Sequence, residues 1–101
     1  MACPNPSGLH IEFSKVFACI IRCSWDPPPK TVKKVFVQLW RLISEDCSER
    51  VLLVRRVFKP NKINFNYILQ ANEYNWYELE VVNQCRNCKI SEKVYICKEL
   101  T

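Results

Sequence analysis

Glycine is nearly missing from this chain: Gly8 is the only one among 101 residues. A phosphate-cradling loop needs several glycines, so nucleotide-binding loops are excluded. Turns must be made by Asn, Asp, Pro and Ser instead. Histidine is as scarce. His10 stands alone, in an outward position, and no Ser–His–Asp set can be assembled around it. No apolar run reaches the roughly 18 residues that a membrane span requires, so no membrane insertion of this fragment is expected. Met1-Ala2-Cys3-Pro4 has neither the basic start nor the apolar stretch of a secretory leader. Asn5-Pro6-Ser7 is blocked as a glycosylation site by its proline.

Cysteine, by contrast, is abundant. Seven are present, which is dense for a cytosolic chain and natural for a secreted one held by bridges. The odd number leaves at least one thiol unpaired. Hydrophobic residues make up 49% of the chain, enough for one core, and the length suits a sandwich of two sheets. The expectation is a single domain, residues 1–101, excised from a longer extracellular protein. A formal charge of +5 favours acidic partners such as a sulfated glycan or an acidic protein face. It is too small to imply nucleic acid.

Phe17 to Pro28 carries the strongest local signal. Phe17, Cys19, Ile21, Cys23 and Trp25 alternate with Ala18, Ile20, Arg22 and Ser24, the spacing of a strand with one buried face. Asp26-Pro27-Pro28-Pro29 stops it, because proline has no amide hydrogen for a ladder. Leu9, Ile11 and Phe13 alternate before it as a first strand. Lys33 to Leu42 reads as a third, with Val35, Val37 and Leu39 on one face and Phe36, Gln38, Trp40 and Leu42 on the other. Ser44 to Ser48 is a turn, and Arg50 to Phe58 is a fourth strand ended by Pro60-Asn61-Lys62. Ile63, Phe65, Tyr67 and Leu69 mark a fifth. After a corner at Gln70 to Asn75, Tyr77, Leu79, Val81 and Asn83 mark a sixth. Cys85-Arg86-Asn87-Cys88 turns the chain into a last strand, Lys93 to Lys98, with Val94 and Ile96 inward. Seven short strands with no helical period predict an all-β, seven-stranded, immunoglobulin-like antiparallel sandwich.

The buried Trp25 before a proline-rich turn, the opening Pro-x-Pro-x-x-Leu-x-Ile and the later Tyr-x-Leu-x-Val together resemble a fibronectin type III domain. The resemblance covers essentially the whole chain. It implies a non-catalytic interaction module and a corner tyrosine, with Tyr77 as first candidate and Tyr74 as second. Cys23-Ser24-Trp25 is also similar to the Cys-x-Trp of the cytokine-receptor branch of that family. There the cysteine bonds to one on the first strand, whereas Cys19 and Cys3 here stand at other spacings.

Strand order assigns each cysteine to a pole. Cys3, Cys23, Cys85 and Cys88 lie toward the N-terminal pole, and Cys19, Cys47 and Cys97 toward the other. A bridge needs α-carbons within about 7 Å, so the poles cannot be cross-linked. The expected pairings are Cys85 or Cys88 with Cys3 or with each other, and Cys97 or Cys47 with Cys19. Cys23 is the expected free buried thiol. A hairpin at Cys85-x-x-Cys88 favours a structural bridge over a redox pair, which sits at a helix N-terminus. Zinc would want a second close pair at the same pole, so no metal and no cofactor is expected.

Two surfaces are candidate binding sites. One gathers Phe36, Trp40, and Leu52 or Val54 among Arg55, Arg56 and other basic residues, with Glu78 and Glu80 neutralising part of it. The other joins the loop from Asp26 to Lys30 with the loop from Arg86 to Lys89. The sequence reading is an extracellular receptor or adhesion module that binds another protein. Its alternatives are a cytokine-receptor-like ligand-binding module and a cytoplasmic thiol or zinc protein using Cys85-x-x-Cys88.

Overall fold

Alternation along each strand leaves one apolar side chain in two to be covered, and stacking two sheets face to face covers them all. The computed structural model describes residues 3–17, 19–43, 49–69 and 76–97. Among these residues seven strands form: β1 His10–Phe13, β2 Ile20–Ser24, β3 Lys34–Leu42, β4 Arg50–Phe58, β5 Asn64–Ile68, β6 Trp76–Gln84 and β7 Lys89–Cys97. Every pairing is antiparallel. One sheet has the order β1-β2-β5 and the other β4-β3-β6-β7. This is the all-β immunoglobulin-like sandwich that the alternation predicts.

Between the sheets lie Ile11, Ile21, Cys23 and Trp25 from one side and Val35, Val37, Leu39, Tyr77, Leu79 and Val81 from the other. Trp25 stacks on Phe58 at 5.9 Å and leans on Phe65 at 6.2 Å. Tyr77, 1% exposed, meets the ring of Phe13 edge-on at 6.0 Å. Tyr74 lies outside the described residues.

The structure corrects the sequence reading in several places. β2 begins at Ile20, not Phe17; Phe17 is 59% exposed and Cys19 is exposed. A turn takes those residues. Ser14 Oγ accepts from the amides of Val16 and Phe17, and the Ile20 amide donates to Phe17 O at 2.9 Å. β7 begins at Lys89 rather than Lys93 and pairs with β6 along its whole length. In β4 the ladder slips at Leu53, so that Leu39 faces Val54 while Trp40 faces Leu52. That bulge sends Val54 inward and Leu52 outward.

Gly8 is required where it stands. Its φ is +62°, and a Cβ there would collide with the carboxyl group of Asp26. The close approach is made by Ser7, whose carbonyl accepts from the Asp26 amide at 2.9 Å and whose Oγ donates to Asp26 Oδ2 at 3.2 Å. Further along, the Asn83 side chain, 2% exposed, donates to Pro4 O at 3.0 Å. These bonds dock the N-terminal segment against the sandwich.

Candidate functional site

The register of the four-stranded sheet sorts its outward side chains into rows that cross all four strands. Val57, Phe36, Val82 and Ser91 make one row; Arg55, Gln38, Glu80 and Lys93 the next. Leu52, Trp40, Glu78 and Tyr95 follow, then Arg50, Leu42, Trp76 and Cys97. Leu42 is only 6% exposed although it faces away from the core. Leu52, Val57, Trp76 and Tyr95 are between 43% and 55% exposed. An apolar and aromatic surface thus runs across the outside of this sheet, split by one polar row.

Charge on this face is paired internally. Glu78 is 3% exposed and receives Arg50 at 2.7 Å, Lys93 at 3.6 Å and the Tyr95 hydroxyl at 3.3 Å. A carboxylate can be held out of water when its oxygens are matched in this way. Glu80 accepts from Gln38 at 3.1 Å and lies 3.8 Å from Lys93. The Arg50 guanidinium also covers Trp40, 3.8 Å above the ring, a stacked arrangement that Arg makes better than Lys. Arg55 lies 5.9 Å over Phe36. Phe36, Gln38, Arg55, Glu80, Val82 and Ser91 line a cleft of about 240 Å³.

Of the residues singled out in the sequence, Phe36, Trp40, Leu52 and Arg55 come together here. Arg56 does not. It pairs with Val37, so it points to the inner side of the sheet at an exposed edge. Val54 is buried in the core. Glu78 and Glu80 do neutralise part of the basic face, through Arg50 and Lys93, and Glu78 does so from a buried position. Sequence reasoning missed Leu42's burial, Trp76 and Tyr95. Parity alone could have placed both aromatic residues on this face, since Tyr77, Val94 and Ile96 point inward and their neighbours Trp76 and Tyr95 therefore point out.

The N-terminal pole holds the second candidate surface. Pro29, Lys33, Arg86, Asn87, Cys88 and Pro4 border a cleft of about 490 Å³, so the two loops do lie side by side. Lys30 and Asp26 are exposed on one of them, and Lys89 opens β7 from the other. Cys3 and Cys85 are bridged, with Cα atoms 5.7 Å apart. Cys19, Cys23, Cys88 and Cys97 are free, so of the two partners expected for Cys19, Cys97 is not bonded to it. Cys47 lies outside the described residues. Burial pushes the Cys23 thiol up from 9.0 to about 12, which keeps it protonated and inert.

No protein-family model matches this chain, and neither does any curated protein. Solved structures do match. A β-sandwich protein redesigned by computer aligns with a TM-score of 0.71 at 11% identity, covering 95% of both chains. Chicken CNTN1 domains FN1–FN3 align at 0.69 and 11% identity, over 98% of this chain and 33% of that one. An FN3 domain of human collagen XX aligns at 0.61 and 18% identity, over 92% of this chain and 91% of that one. At such identities the likeness speaks for the fold, and the fold is fibronectin type III-like.

Proposed function

We propose that this fibronectin type III-like sandwich is a non-catalytic extracellular interaction module, of receptor or adhesion type, which binds another protein through the outer face of β4-β3-β6-β7. The observation that carries this reading is the apolar surface of Trp40, Leu52, Val57, Trp76 and Tyr95 outside the core. Aromatic side chains and arginine over a half-exposed sheet are the composition of an interface centre. The Cys3–Cys85 bridge supports an oxidising compartment. A protein is favoured over a sulfated glycan because Glu78 and Glu80 already occupy Arg50 and Lys93, and Arg55 and Arg56 point apart.

The test is a binding screen of the intact domain against cell-surface ectodomains, followed by affinity measurements on variants. Trp40→Ala should weaken the captured partner by about 2 kcal/mol, roughly thirtyfold. Asn66→Ala, on the opposite sheet, should leave affinity unchanged. Urea midpoints of both variants separate lost contact from lost folding. The reverse pattern would move the site to β1-β2-β5 and sink this reading.

A further inference from the structure

At the N-terminal pole the Sγ atoms of Cys3, Cys85 and Cys88 all lie within 4.8 Å of one another. Cys3 and Cys85 share a bridge that spans 82 positions of sequence, and Cys88 keeps its thiol. A thiol held against a disulfide is the arrangement from which exchange proceeds, through attack of the thiolate on one of the two sulfurs. We propose that these three residues form an internal thiol–disulfide exchange site that ties and unties the N-terminal segment. The Cys88 thiolate attacks Cys85 Sγ. A Cys85–Cys88 bond forms, the Cys3–Cys85 bond breaks, and the electron pair leaves on Cys3 Sγ. Cys88 gives up one proton and Cys3 takes one, so the step is redox-neutral and needs no outside oxidant or reductant.

Three observations support this assignment. First, the Cys85 amide donates to Cys88 O at 2.8 Å, which closes a two-residue turn and sets the two cysteines opposite each other. Their sulfurs lie within 4.8 Å of each other, so a small side-chain movement brings them to bonding distance. Second, the leaving sulfur has a place to go. Cys3 Sγ lies 3.4 Å from Asn83 O, an acceptor that a released Cys3 thiol can use and a bridged sulfur cannot. Third, Cys88 lines the open cleft with Pro4, Lys33 and Arg86, so small reagents can reach it.

Exchange would replace a tie across the whole domain with a tie across one turn. The N-terminal segment would then be held by the Asn83–Pro4 and Ser7–Asp26 hydrogen bonds. Pro4 is a wall of the cleft, so untying it alters the surface between the two pole loops. This chemistry is separate from the outer face of the four-stranded sheet and would stand if that face bound nothing.

The experiment incubates the dilute full chain without oxidant, traps thiols with N-ethylmaleimide and maps bridges by non-reducing peptide mass. The native chain should show label on Cys3 together with a Cys85–Cys88 bridge. Label on Cys3 should fall to background in Cys88→Ser, which retains both members of the Cys3–Cys85 bridge. Cys3→Ser, oxidised with glutathione disulfide, should close Cys85–Cys88. Equal Cys3 labelling with and without Cys88 would overturn the proposal, as would Cys88 remaining the only labelled member of the three. So would a Cys3→Ser chain whose Cys85 and Cys88 stay unbridged.

Discussion

The outer face of β1-β2-β5 presents His10, Glu12, Arg22, Ser24, Asn64 and Asn66, and its apolar members are an end pair, Ile20 and Ile68. The outer face of β4-β3-β6-β7 presents Phe36, Trp40, Leu42, Leu52, Val57, Trp76, Val82 and Tyr95. Both sheets cover the same core, and a sandwich asks only that each have one apolar side. The first sheet meets that demand and stops. The second carries apolar bulk that the fold does not need, and it is this excess on which the proposed binding role rests.

The largest expected effect tests the inner side of the three-stranded sheet. The folded state keeps the Cys23 proton up to about 12, while an exposed thiol loses it near 9.0. The contribution of this group to stability is therefore full below the ordinary thiol range. It should decline by about 1.4 kcal/mol per pH unit as pH rises between those values. Urea midpoints across alkaline pH should show a slope that Cys23→Ala flattens; identical slopes would mean the thiolate is tolerated inside.

Next in size is a matched pair of acidic residues, one on each outer face. Glu78→Ala removes one shared acceptor from Arg50, Lys93 and Tyr95 and should cost about 1–2 kcal/mol. That is less than for a fully enclosed pair, because the two cations are 33% and 40% exposed and can turn to water. Glu12→Ala breaks only the 3.3 Å contact with His10, where the side chains are 61% and 44% exposed, and should cost under about 0.5 kcal/mol. Equal denaturant midpoints for the two variants would erase the contrast between the faces.

Small stability changes should also come from Trp76→Ser and Leu52→Ser. Both residues are half exposed, so each variant should unfold within about 1 kcal/mol of the native chain. A binding assay should nevertheless register each loss. Large destabilisation with intact binding would make this surface a second core instead.

Much of this contrast could be read from residue order, and the rest could not, for reasons that lie in the pairing. β3 and β6 announce themselves by long alternation, and their inward residues are the ones the pattern picks. The alternation that starts at Phe17 runs on through a turn, because it reports residue type while the turn is set by the Ser14 hydroxyl. Lys89-Ile90-Ser91-Glu92 is too polar to stand out, yet it is drawn into β7 by pairing with β6. The bulge at Leu53 reverses parity midway through β4, so no local count could tell Leu52 from Val54. The burial of Leu42 and Glu78 depends on neighbours from other strands, Arg50 and Trp76 for one, Arg50 and Tyr95 for the other. On the pole, strand direction brought Cys3 within reach of Cys85 and of Cys88, but nothing in the order of residues chooses between them.

Among the described residues β4 is an outer strand, with β3 on one side and no strand on the other. Its free backbone groups are a template on which a second chain could add a strand and begin an aggregate. Arg56, exposed and paired with Val37, puts a charged residue on the inner side of that edge, and the Leu53 bulge interrupts the run of regular spacing. An incoming strand would have to bury the charge and match the slip. On the proposed reading, the flat binding face is thus bordered on the β4 side by an edge that resists strand addition, so copies crowded together would not zip into a sheet through β4.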